Sequence, residues 1–319
     1  MPTKTGILLL NLGTPDSPKT SDVRKYLVEF LTDPRVIDIP AVPRQLLVRG
    51  IIGPFRSPKS AKIYKDVWTD EGSPLLVISE NLRDAVSEQL GEDYQVELAM
   101  RYQSPSIQSV LERFKGVALK KLKVIPLFPQ YASASTGSAL QEVMRVLSTW
   151  QTIPDVELVN SFPVDELMIQ AHLERAKEHD LDSYDHILFS YHGLPERQLI
   201  KADEGNHCEC YATTKALAEG MGLKEDQYTT CFQSRLGKQP WKEPYTSDVI
   251  EHLAKEKGAK RLLGFCPAFT ADCLETIIEM GVEYHEEFRE HGGEQLTLVE
   301  GLNTHPKWIE SVVVMCTTP

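Results

Sequence analysis

At 319 residues the chain is long enough to bury a sizeable core and to divide into about two domains, and its 41% apolar and 25% charged content is that of a globular protein. A net charge of −12 without a concentrated basic patch excludes nucleic-acid binding but leaves room for a cationic substrate. No run of about 18 apolar residues is present to span a membrane, and six cysteines without framework spacing fit free thiols in a reducing cytoplasm.

In chain order, GILLLNLG near the N-terminus is too short for a signal-peptide core and reads as a first strand, residues 6–12. The stretch RQLLVRGIIGPFRSPKSAKIY, residues 44–64, interleaves apolar residues with Arg44, Arg49, Arg56 and Lys59. It is either an amphipathic helix packed on a sheet, or an apolar lip with a cationic rim, suited to a flat apolar ligand bearing carboxylates or to a membrane surface. Strands follow at 95–102 and 122–128. LFPQYASASTGSAL, residues 127–140, then enters a helix through a Ser/Thr/Gly loop that caps it and can hold an anion. Further strands fall at 156–160, 187–192, 228–233, 261–266 and 296–302, alternating with helical segments throughout, the pattern of parallel sheets covered by helices. No GxGxxG or Walker-type loop follows any of them, so no dinucleotide or nucleoside triphosphate is expected.

The eight runs correspond in two sets of four. GILLLNLGTP matches HILFSYHGLP, VELAMRYQSP answers QYTTCFQSRLG, KKLKVIPLFPQYAS answers AKRLLGFCPAFTAD, and VELVNSFP and LTLVEGLNTHP close each half. The expected fold is therefore α/β: two similar Rossmann-like domains, residues 1–162 and 163–319, each a four-stranded parallel sheet flanked by helices. Ligands of such sheets bind outside the carboxyl ends of the strands, so two facing domains are expected to form a cleft lined by the residues after each strand.

His192 ends its strand there. It is either hydrogen-bonded into a βα turn or a group that carries chemistry. After the strand at 261–266, Asp272 and Glu275 make a capping-box-like D-x-x-E, and Glu279 and Glu283 continue at i+4 and i+8 with no cation among them. That row is a solvated face or a path for a divalent cation or protons. NHCECY, from Asn206, lacks a fourth ligand at usable spacing, and no zinc site is expected there.

Five motifs, NLGTPDSPKTSDVRKYLVEFLTDPRVID, LFPQYASASTGS, SYHGLPERQ, FQSRLGKQPWKEPYT and CPAFTADCLETIIE, together resemble the ferrochelatase family over nearly the whole chain. The resemblance implies insertion of ferrous iron into a porphyrin, with protoporphyrin IX as substrate and protohaem as product. It implies His192 and Glu275 as catalytic residues and His192, Glu275, Glu279 and Glu283 as contacts for the metal, the helix carrying them including π-type turns. Leu12, Arg56, Tyr64, Arg101, Tyr102, Trp241 and Phe269 fall on the porphyrin pocket, and residues 44–56 on a lip that can touch a membrane. Cys273 stands where many members have a histidine. With Cys316 alone near the C-terminus, and Cys208, Cys210 and Cys231 lacking a fourth ligand, no [2Fe–2S] cluster is expected. Ferrous iron enters as substrate and no cofactor is obligatory. The expected enzyme is a monomer or weak homodimer, cytoplasmic, and peripheral at the inner face of the membrane. A coproporphyrin enzyme, another tetrapyrrole chelatase and a non-enzymatic porphyrin-binding protein are the alternatives.

Overall fold

The structure, a computed structural model, describes residues 4–117, 119–201, 205–237 and 239–318, with residues 205–207 described by backbone alone. The side chains of Asn206 and His207 in NHCECY therefore lie outside the described residues. The chain divides into two compact units, Met1–Ser161 with Ile309–Pro319, and Phe162–Trp308.

Among the described residues eight strands, β1 (Lys4–Gly13), β2 (Tyr94–Tyr102), β3 (Leu119–Pro126), β4 (Asp155–Leu158), β5 (His186–His192), β6 (Tyr228–Gln233), β7 (Arg261–Phe265) and β8 (Gln295–Leu298), form two four-stranded sheets. Their orders are β2-β1-β3-β4 and β6-β5-β7-β8, and every pairing is parallel. The second strand of each order, β1 or β5, is thus a central strand buried on both faces, which is why it reads as a continuous apolar run rather than an alternating one. Ile7 through Leu10 and Leu188 through Ser190 have no exposed surface.

The repeated strand exit has a physical cause. Gly13 sits at φ +116°, opposite Tyr102 at the end of β2, and a Cβ there would run into the Tyr102 carbonyl. Gly193 donates its amide to the Gln233 carbonyl (2.8 Å), and a Cβ would lie 2.9 Å from that oxygen. In both halves the central strand leaves the sheet against a neighbouring backbone, where only glycine fits.

Helices cover the sheets through amphipathic faces. On the helix Ile107–Phe114, residues Ile107, Val110, Leu111 and Phe114 recur at helical spacing and pack on Leu8, Leu10 and Val124. In the second unit Ile250, Leu253, Met280 and Phe288 close over Leu188, Leu262 and Leu296. The C-terminal segment is tied to the first unit by Lys123, a buried lysine on β3 that pairs with Glu157 (2.5 Å) and donates to the Thr318 carbonyl (2.5 Å).

Four expected strands end early, β4 at Leu158 rather than 160 and β7 at Phe265 rather than 266 among them. β3 stops at Pro126 rather than 128, and β8 at Leu298 rather than 302. The β8 difference has a partner far away: the Asp272 carboxylate accepts from the Gly301 amide (3.1 Å) and the Asn303 side chain (2.8 Å), drawing residues 301–303 into a loop.

The helix Glu166–Ala176 carries a buried histidine, His172, whose Nε2 has no hydrogen-bond partner among the described residues. Burial, then the neighbouring charges of His305 and Arg175, push its pKa down from 6.5 to about 4. The unfolded chain therefore binds a proton as pH falls below 6.5, while the folded chain refuses one until pH 4, so stability is lost across that window. His172→Leu removes this titration. On moving from pH 7 to pH 4.5, its unfolding free energy from urea titration is expected to fall by about 2.5 kcal/mol less than that of the parent. Equal losses in the two proteins would show that His172 does not drive the acid sensitivity.

Candidate active site

In the second unit, β5 and β6 end side by side, His192 in register with Gln233. His192 is exposed, and its Nδ1 lies 2.7 Å from the Gly193 carbonyl. A carbonyl can only accept, so Nδ1 carries a proton, and in the neutral ring the lone pair is on Nε2. Trp241 is buried beside this turn. It forms a bridge with Pro195, its indole nitrogen donates to the Leu236 carbonyl (2.9 Å), and its ring lies against Gly193, where a Cβ would be 3.4 Å from Cε3.

Beyond β7, the row of glutamates lies on a π-helix, Glu275–Glu283, continued by the α-helix Tyr284–Glu290. Its i→i+5 hydrogen bonding is rare and concentrates at functional sites. Glu275 and Glu279 are half-buried, and Glu283 is exposed. The expected capping box is not formed: Asp272 accepts from the Thr276 hydroxyl (2.9 Å) and from the 301–303 loop, and no side chain caps the helix. Burial, then the adjacent Glu275 carboxylate, raises the Cys273 thiol far above its ordinary range, so Cys273 stays a neutral thiol beside Glu275. Phe269 is half-buried and packs on the core that includes Met280 and Leu296.

Two of the residues that join these pieces, Gln233 and Ser234, lie in the motif FQSRLGKQPWKEPYT, but nothing in the motif assigns them this role. The Gln233 amide donates to the Glu275 carbonyl (3.0 Å) and to the Glu279 carboxylate (3.0 Å), while its oxygen accepts from Ser190 (2.8 Å). Glu279 also accepts from the Ser234 amide (2.7 Å), the Ser234 hydroxyl and the Tyr284 hydroxyl (3.2 Å). Burial and the Glu279 charge raise the Tyr284 phenol, which keeps it a donor. Among the described residues no group of three or more His, Cys, Asp and Glu side chains is arranged to hold a metal ion.

In the first unit, Arg101 and Tyr102 end β2 over a buried carboxylate, Asp33. Its Oδ2 accepts from Arg101 Nη2 (2.7 Å), the Tyr102 hydroxyl (3.0 Å) and the Ser138 hydroxyl (2.5 Å), and Oδ1 accepts from the Arg35 amide (2.7 Å). Arg101 Nε also reaches Ser138 Oγ (2.7 Å), and the guanidinium lies 4.5 Å over the Tyr102 ring. Burial alone would raise the Asp33 carboxyl; the Ser138 hydroxyl, the Arg35 amide, the Arg101 charge and the Tyr102 hydroxyl outweigh it and hold it below the usual carboxylate range. Tyr102 has no exposed surface. Leu12 and Tyr64 pack at the margin of the same apolar cluster, which contains Tyr26, Leu31 and Tyr102.

The stretch expected as a lip folds as the helix Ala41–Leu47, a π turn Val48–Ile52 and the helix Gly53–Val67. Val42, Leu46, Ile51 and Phe55 are 71, 69, 57 and 78% exposed, a stripe of large apolar side chains facing water. Arg49, Arg56 and Lys59 are exposed beside it. Arg44 is not part of that rim: it is buried and donates to the carbonyls of Ile39 (2.7 Å) and Ile37 (3.4 Å). No described helix is long and apolar enough to cross a membrane.

Two parallel four-stranded sheets of matching order, with polar side chains gathered at the carboxyl ends of their strands, are a fold this chain shares with solved chelatases. The chain is similar over 97% of its length to SirB from Bacillus subtilis with Fe3+ (TM-score 0.55, 14% identity, 93% of that chain). It is likewise similar to the cobalt complex of the sirohydrochlorin chelatase SirB from B. subtilis subspecies spizizenii (TM-score 0.57, 12% identity, 97% of this chain and 92% of that one). The family model Ferrochelatase matches residues 4–318. The ferrochelatase of Legionella pneumophila (strain Paris) is 43% identical over 326 residues, 97% of each chain. That of Coxiella burnetii (strain Dugway 5J108-111) is 41% identical over 334 residues, 98% of this chain and 93% of the relative. The chain belongs to the ferrochelatase family, enzymes that complete haem by inserting iron into a porphyrin.

Proposed function

We propose that the enzyme inserts Fe2+ into protoporphyrin IX to give protohaem, with His192 as the base that takes a pyrrole proton. The observation that carries this reading is the orientation of His192, whose Nδ1 is spent on the Gly193 carbonyl and whose Nε2 is left as an acceptor at an exposed strand end. In the reaction the pyrrole N–H bonds break, their protons leave, the iron sheds its waters, and iron–nitrogen bonds form without a change in oxidation state.

Glu275 delivers the metal or passes on a proton, and the exposed Glu283 opens the acidic row to solvent. Iron touches His192 and Glu275 in transit. Trp241, Phe269, Leu12 and Tyr64 supply apolar walls, and Arg56 meets a propionate. Arg101, with Nε and Nη2 spent on Ser138 and Asp33, keeps Nη1 for a second carboxylate, while Tyr102 holds Asp33 beneath it. The apolar stripe from Val42 to Phe55 supports protoporphyrin over coproporphyrin, which carries more carboxylates, and suits peripheral contact with a membrane at its inner face. We take the working form to be a monomer or weak homodimer. Cys210, Cys231, Cys266, Cys273 and Cys316 are buried, and burial raises every one of these thiols, the reverse of the thiolate an iron–sulfur cluster needs. The proposal includes no such cluster.

Anaerobic addition of Fe2+ to the enzyme with protoporphyrin IX should convert the porphyrin absorbance to that of a metalloporphyrin. Tight porphyrin binding with an unchanged spectrum would make the protein a carrier. The specificity constant for protoporphyrin is expected to exceed that for coproporphyrin by about tenfold or more, which corresponds to about 1.4 kcal/mol; the reverse ratio would reassign the substrate.

A further inference from the structure

We propose that Glu279 is a positioning residue that holds His192 and Glu275 in fixed relation, and that it does not ligate the iron in transit. The inference rests on the reading of His192 and Glu275 given above.

An ionised carboxylate offers about four lone-pair sites. Glu279 fills them with the Gln233 side-chain amide, the Ser234 amide, the Ser234 hydroxyl and the Tyr284 hydroxyl. To bind a cation it would have to release donors that hold it on two elements, the end of β6 and the start of the α-helix that continues the π-helix. Glu283 is exposed, and no comparable set of donors surrounds Glu275 or Glu283 among the described residues.

What Glu279 holds is itself strained. Ser234 has φ +66°, a left-handed conformation that a serine adopts only when its surroundings impose it. Glu279 accepts both of its donors. The preceding residue, Gln233, reaches the two catalytic groups at once. Its carbonyl accepts from Gly193, the residue whose own carbonyl orients the His192 ring. Its side-chain amide donates to the Glu275 carbonyl. The Glu279 carboxylate thus braces one turn, and that turn sets both the imidazole and the first residue of the π-helix.

Glu279→Gln leaves the shape but turns an amide NH2 toward groups that are themselves donors. Tyr284→Phe removes one donor and keeps the ring. Iron insertion is measured anaerobically with Fe2+ varied at saturating porphyrin. Glu279→Gln is expected to lower kcat by about 100-fold, the cost of a small misplacement at the reacting centre, and Tyr284→Phe by about tenfold, the loss of one charge-assisted bond. KM for Fe2+ stays within about twofold in both, and the double variant is no worse than Glu279→Gln, because the two act through one contact. Faster hydrogen exchange at the amides of Gly193 and Ser234 should accompany both changes. A rise of about tenfold or more in KM for Fe2+ with kcat held would make Glu279 a ligand and overturn the inference, as would a Tyr284→Phe protein with parental kcat or effects that multiply in the double variant. A parent enzyme that forms no metalloporphyrin would instead defeat the proposed reaction.

Discussion

Replacing His192 by alanine is expected to lower turnover for iron insertion by about 100- to 10,000-fold while leaving porphyrin affinity within a few-fold, the range seen when a positioned base is removed. Alanine also loses the hydrogen bond to the Gly193 carbonyl, so His192→Asn is the sharper variant. Its side-chain amide can still donate to that carbonyl where Nδ1 does now, but it offers no basic lone pair. If His192 works as a base, the asparagine protein folds as the parent does and is as slow as the alanine protein. If asparagine restores most of the turnover, His192 is only a strap on the strand end, and the proton goes elsewhere.

The largest expected effect on stability is at Asp33. Its Oδ2 gathers Arg101, Tyr102 and Ser138 in a site where Asp33 itself is buried and Arg101 nearly so. Asp33→Ala leaves the guanidinium without its carboxylate and takes from the Tyr102 and Ser138 hydroxyls the acceptor they share, and removing one partner of a buried pair costs about 3–5 kcal/mol. Thermal and urea unfolding of the purified variant would measure it. The companion change is Arg101→Met in the Asp33→Ala background, which takes away the orphaned charge and should recover part of the loss. A single variant within about 0.5 kcal/mol of the parent would mean that solvent reaches the site and screens the pair.

The sheets were legible because parallel central strands are buried on both faces. GILLL and HILFSY leave no other reading, the β6 segment was bounded as the structure has it, and the glycine exits repeat because both halves meet the same steric limit. The site was legible only where a motif marked it. Asp33 falls within the first motif, at LTDPR, yet its role is not legible there, since its side-chain partners Arg101, Tyr102 and Ser138 lie 68, 69 and 105 residues away. The row Glu275, Glu279, Glu283 looked unpaired because Gln233 and Ser234, which donate to Glu279, lie about 45 positions earlier, and the nearby donor, Tyr284, is a hydroxyl rather than a cation. Arg44 was read as a surface cation, yet carbonyls of a preceding turn draw it inward. For Asp33 and Glu279 the deciding partners are remote in the chain, and for Arg44 they are backbone carbonyls seven and five residues back; side-chain periodicity is blind to both.

The strand order has a consequence for how the protein is made. β1 is a central strand, and its partners on either side, β2 and β3, come later in the chain. Roughly 80 residues separate β1 from β2, so at about 5–20 residues per second the ribosome needs roughly 4–16 s to deliver the first partner. During that interval Ile7 through Leu10, which end with no exposed surface, have no sheet to enter. A strand that ends wholly buried is therefore synthesised well before either of the neighbours it must pair with.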